Sequence, residues 1–182
     1  MKFQLSEVFC EIISGLFLCS AFAGLFLLLG ILTQAQLSSL CTVAFKLSSL
    51  PALLLAFYIA GILFDPVGML VDNLIEKTLS VSSCSAEEKG IYYAYAPEHL
   101  VAYRHETWSY YFCFRNLLLL IPINSLLWLV VFHTQLSCIA MIVMGIITIG
   151  ACISFWFAMK NLLDIYYGIP KKFKASYKVP SS

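Results

Sequence analysis

The chain has 182 residues, 61% of them hydrophobic and 12% charged, with a formal net charge of +1 and a mean hydropathy of +0.89. Soluble domains carry about 25% charged and about 45–50% apolar residues, so this composition excludes an ordinary water-soluble globule and predicts a single-domain, all-α integral membrane protein. With a net charge so close to zero, nucleic acid is not an expected partner.

Stretches of about 20 apolar residues give four predicted spans. The first runs from Ile12 to Leu32 without an internal charge. The triplet Ala21-Phe22-Ala23 has the look of a cleavage site, but the apolar run continues past it and Glu7 and Glu11 spoil a basic leader, so the segment is expected to stay as a span. Thr33 to Leu50 follows as a Ser/Thr/Leu-rich connection.

The second span runs from Ala52 to about Val71 and is interrupted by Asp65 and Pro66. Asp65 stands about 14 residues in, roughly 20 Å at about 1.5 Å per residue, still within a hydrocarbon core about 30 Å thick. Pro66 cannot donate to the helix ladder and clashes with the carbonyl of Ile62, so a bend or opening is expected there. Gly61 and Gly68 allow another helix to come close. Two readings of Asp65 stand. It pairs with Arg115 or with Lys160 at the inner mouths of the later spans, or it lines a wet cavity or oligomer axis and titrates or coordinates cations.

The segment from about Asp72 to Phe114 is predicted to be helical and cytoplasmic. LVDNLIEKTL is amphipathic and continues span two; SVSSCSAEEKG carries a Ser85-x-x-Glu88 capping signature and a Gly90 break, and reads as a flexible loop. From about Pro97 a helix runs directly into span three. The aromatics here, including Tyr92, Tyr93, Tyr95, Tyr103 and Trp108, form an interfacial belt on one reading. On the other they join Arg104 as a docking surface for a cytosolic protein. Glu98 and His105, and His99 and Glu106, are each seven apart, the wrong spacing for adjacent-turn chelation, so no metal site is expected.

Span three runs from Leu117 to about Phe132 and contains Asn124 beside Pro122, a second expected irregularity. Span four, Leu136 to Met159, follows after a minimal turn at His133, so the two make an antiparallel hairpin. Small residues at Ser20 and Gly24, and at Gly145, Gly150 and Ser154, favour close helix contacts within the monomer or in a homo-oligomer. The tail from Lys160 to Ser182 places Lys171, Lys172, Lys174 and Lys178 against anionic lipid.

Lysine and arginine set the orientation. The N-terminus, the middle segment and the tail hold Lys2, Lys77, Lys89, Arg104, Arg115, Lys160 and the four tail lysines, against Lys46 alone on the other side. Both termini are therefore expected in the cytoplasm. Of the seven cysteines, only Cys41 and Cys138 fall outside, where a disulfide is open to them. No CxxC, HExxH, GxSxG, Walker A or GxGxxG occurs, and no histidine lies at mid-depth for haem, so neither a cofactor nor an enzymatic activity is expected.

GILFDP…DNLIEK in span two and YRHETWSYYFCFRNLLL entering span three, in a four-span layout, resemble small bacterial inner-membrane proteins that serve as membrane components of anti-phage defence systems. The resemblance implies either permeabilising the membrane or holding a cytosolic effector at it. The leading expectation is a non-enzymatic oligomeric subunit coupling a cytosolic partner to the membrane. An ion- or proton-conducting pore or transporter centred on Asp65 is the alternative. A lipid-modifying enzyme using Glu98, His99, His105 and Glu106 is the third.

Overall fold

The computed structural model describes residues 5–46 and 50–176. They form α1 (Leu5–Leu28), α2 (Gln34–Lys46), α3 (Leu50–Thr78), α4 (Ala86–Tyr95), α5 (Glu98–Phe132) and α6 (Cys138–Ser176), with no strand among them. Helices α1, α3, α5 and α6 are each long and apolar enough to cross a membrane.

α1 ends four residues before the expected boundary because Gly30 takes a left-handed φ of 70° and folds the chain back. The Ser/Thr/Leu-rich connection is itself a helix, α2. Thr33 and Gln36 build its capping box, Gln36 N donating to Thr33 Oγ1 (3.2 Å) and Thr33 N to Gln36 Oε1 (2.9 Å). Leu37, Leu40 and Cys41 of α2 then line one cavity with Leu16, Phe57 and Trp128.

α3 runs unbroken through Asp65 and Pro66, so the expected opening of the helix does not occur. α5 likewise continues through Pro122, and α6 through Pro170. Gly90 does not break α4, which starts on the predicted Ser85–Glu88 capping box and ends where Ala96 and Pro97 turn the chain into α5. Residues 160–176 of the tail are an extension of α6.

α1 packs against both α3 and α5, and α6 against α5 in a hairpin closed by residues 133–137. The α1–α3 contact is backbone to backbone. A Cβ on Gly15 would lie 1.7 Å from the Phe57 carbonyl oxygen, and one on Gly61 would lie 2.1 Å from that of Glu11. At the basic end, Ile75, Leu79, Cys84, Tyr111, Met159, Leu163 and Tyr167 form a buried cluster that ties α3, α5 and α6 together. Gly145 and Gly150 of α6 meet no neighbouring atom within 4 Å.

Candidate functional site

Arg115 is fully buried where α1, α3 and α5 meet. Its guanidinium cannot lose its charge and needs planar acceptors. α3 supplies two, Asp65 and Asp72, seven residues apart on one helical face. Nη2 lies 3.1 Å from Asp65 Oδ1 and Nη1 2.9 Å from Asp72 Oδ2. Nε and Nη2 also donate to Asn116 Oδ1 at 3.1 and 3.0 Å. Asn116 Nδ2 returns a bond of 2.9 Å to Asp65 Oδ1, and the Tyr111 hydroxyl gives one of 2.9 Å to Asp72 Oδ1. Gly68 makes the room: a Cβ there would stand 2.4 Å from Arg115 Nε.

α1 adds a third carboxylate. Glu11 is 8% exposed, and its Oε2 has no hydrogen-bond partner. The carboxyl lies against Gly61 and next to that of Asp65, with Cys113 of α5 and Glu7 of α1 as its other titratable neighbours. One guanidinium thus pairs with two carboxylates, and a third lies beside one of them. Ser14 on α1, 1% exposed, closes the floor, accepting from Asn116 Nδ2 at 3.5 Å. Among the described residues no group of three His, Cys, Asp or Glu is placed to hold a metal ion.

The other residues singled out in the sequence lie elsewhere. Lys160 is exposed on α6 and makes no ion pair with Asp65, whose partner is Arg115. Pro66 is exposed. Asn124 sits deeper and bridges helices, Nδ2 donating to Phe17 O and Leu120 O at 2.9 Å each.

The aromatic segment is divided between inside and outside, and this corrects its reading as one docking surface. Tyr92 is 0% and Arg104 2% exposed, so neither lies on the outer surface. Tyr93, Tyr95 and Tyr103 remain about half exposed. Tyr92 donates its hydroxyl to Leu100 O (2.6 Å), and burial pushes its phenol above the usual value against the opposing pull of Arg104. The Arg104 guanidinium lies 3.9 Å from the Tyr166 ring, Tyr166 stacks on Trp108 at 4.4 Å, and Trp108 on Tyr111 at 5.1 Å. Through Tyr111 and Asp72 this column reaches the Arg115 centre.

Two tail lysines are also engaged internally rather than left to lipid. Lys171 donates to Ser82 O (2.8 Å), and Lys174 pairs with Glu87 at 2.8 Å. Lys172 is exposed, and Lys178 lies outside the described residues. Cys41 and Cys138 are exposed free thiols.

Comparison with family models, curated proteins and solved structures finds no match for this chain. The centre therefore rests on its own geometry. Sequence reasoning named Asp65 and Arg115 but not Glu11, Asp72, Asn116 or Tyr111 as members. The seven-residue step from Asp65 to Asp72 was the readable sign; nothing local in α1 marks Glu11 as their neighbour.

Proposed function

We propose that this chain is a multi-pass bacterial inner-membrane protein, with both termini and α4 in the cytoplasm, that moves protons through its Glu11–Asp65–Arg115 centre. The lysine and arginine asymmetry supports the orientation. The observation that carries the function is the buried Glu11 Oε2 with no donor, beside a second carboxylate. Two adjacent carboxylates have no hydrogen between them unless one is protonated; a shared proton turns their contact into an O–H···O bond and removes one excess charge. A single shared proton satisfies this geometry.

The test is proton flux into proteoliposomes containing a trapped pH-sensitive dye, driven by a potassium gradient and valinomycin. Wild type and Tyr103→Ala are expected to acidify the lumen. Glu11→Gln and Asp65→Asn, which keep the shape and remove the titrating group, are expected to slow flux at least tenfold. Wild-type flux no faster than empty liposomes overturns the reading.

The exposed rings of Tyr93, Tyr95 and Tyr103 at the basic end favour a second reading, a membrane subunit that engages a cytosolic protein as the defence-system resemblance implies. The open faces of Gly145 and Gly150 would then serve a homo-oligomer. Co-purification that depends on those three tyrosines, with no proton flux, is the result expected of it.

A further inference from the structure

Arg104 is a second buried cation, and its surroundings differ from those of Arg115. It is 2% exposed, yet none of the ion pairs among the described residues involves it. Its Nε donates to Tyr166 O at 3.2 Å and its Nη1 to the Tyr93 hydroxyl, which occupies two of its five N–H groups. The faces of Tyr166, Tyr93 and Tyr92, at 3.9, 5.2 and 5.5 Å, supply quadrupoles but no countercharge. Burying an ion without an opposite charge is costly, and a bound anion would offset that cost.

There is space for it. A cavity of about 130 Å3 opens beside the guanidinium, lined by Tyr93, Val101, Arg104, His105, Trp108 and Tyr166. One water needs about 10–15 Å3, so the cavity admits a group of several heavy atoms. Its lining presents the Arg104 fork, the His105 imidazole, a Tyr93 hydroxyl and the Trp108 indole, and no carboxylate. A planar cationic fork flanked by neutral donors in an acid-free pocket matches tetrahedral oxyanions.

We infer that the Arg104 cavity is a binding site for a phosphate group, supplied by an anionic lipid headgroup or by a free phosphorylated solute. Arg104 carries the charge, and Tyr166 and Tyr93 fix its plane. His105, exposed at the mouth, adds a donor without holding the helices together. The inference does not depend on proton movement at the Arg115 centre.

Trp108 lines the cavity and reports on it. In purified protein with Trp128→Phe and Trp156→Phe, fluorescence is followed during titration with inorganic phosphate, with micelles containing phosphatidylglycerol, and with micelles of a phosphate-free glycolipid. A saturable change with phosphate at constant ionic strength identifies a free solute as sufficient; a change with phosphatidylglycerol alone identifies the headgroup. In either case Arg104→Lys and His105→Ala are expected to weaken the response at least tenfold. His105→Ala keeps the test valid if the arginine variant fails to fold. No response to either phosphate source, an equal response to the glycolipid, or wild-type affinity in folded variants overturns the inference.

Discussion

At the scale of single residues, the buried arginine decides most. Removing one partner of a buried ion pair leaves the others charged and unsatisfied, at a cost of about 3–5 kcal/mol. Arg115→Met strands Asp65 and Asp72 at once and is expected to lower stability by at least that much, read as the unfolding midpoint in detergent. Gly68→Ala tests the same centre from the other side, because its Cβ would meet a guanidinium that Asp65, Asp72 and Asn116 already hold in place. It is expected to destabilise strongly. Gly150→Ala is the contrasting case. Nothing lies within 4 Å of the added methyl, so in mid-helix the change is expected to stabilise by about 0.5–1 kcal/mol. A comparable loss at both glycines would show that α6 packs against something there.

At the scale of elements, α4 depends on its cap. The Ser85 backbone N–H donates to the Glu88 carboxylate at 2.7 Å and holds it below the ordinary carboxylate range. A depressed folded value means this contribution is fully present above the unfolded pKa and is lost as pH falls through the folded one. Protection of the α4 amides from exchange is therefore expected to be high at neutral pH, lower in Glu88→Ala, and convergent between the two in acid. This cap was legible in the sequence because it is written in four consecutive residues. So were the four apolar helices, the α5–α6 hairpin and the unbroken run of α5 into its span, which follow from hydropathy and a single proline. α2 was missed although Thr33 and Gln36 carry the same kind of box, because a stretch rich in serine and threonine reads as loop by composition. The choice between Arg115 and Lys160 for Asp65 was not legible at all. It depends on which face of α3 meets which helix, and only the packed bundle puts α5 there.

At the scale of the whole molecule, the thiols report orientation. Cys41 and Cys138 are exposed at the end away from the basic cluster, whereas Cys10, Cys84 and Cys113 are buried. Burial raises the Cys84 thiol above its ordinary value, and its Sγ donates to Tyr167 O at 3.0 Å, so it reacts slowly from either side. A membrane-impermeant maleimide on intact cells is expected to label the chain, and the double change Cys41→Ser/Cys138→Ser to abolish labelling. Labelling only after lysis would invert the topology.

The column of rings along α5 carries a geometric implication. Arg104, Trp108, Tyr111 and Arg115 follow one another at intervals of four, three and four, so the two guanidiniums are separated by about three helical turns and leave the helix within roughly 20° of the same direction. Both cations are thus phased by helical pitch on one rigid shaft. Inserting a single alanine between Phe112 and Cys113 would swing one about 100° away from the other while lengthening the helix by only about 1.5 Å. Any axial rotation of α5 turns the Arg104 cavity and the Arg115 centre through the same angle at the same moment.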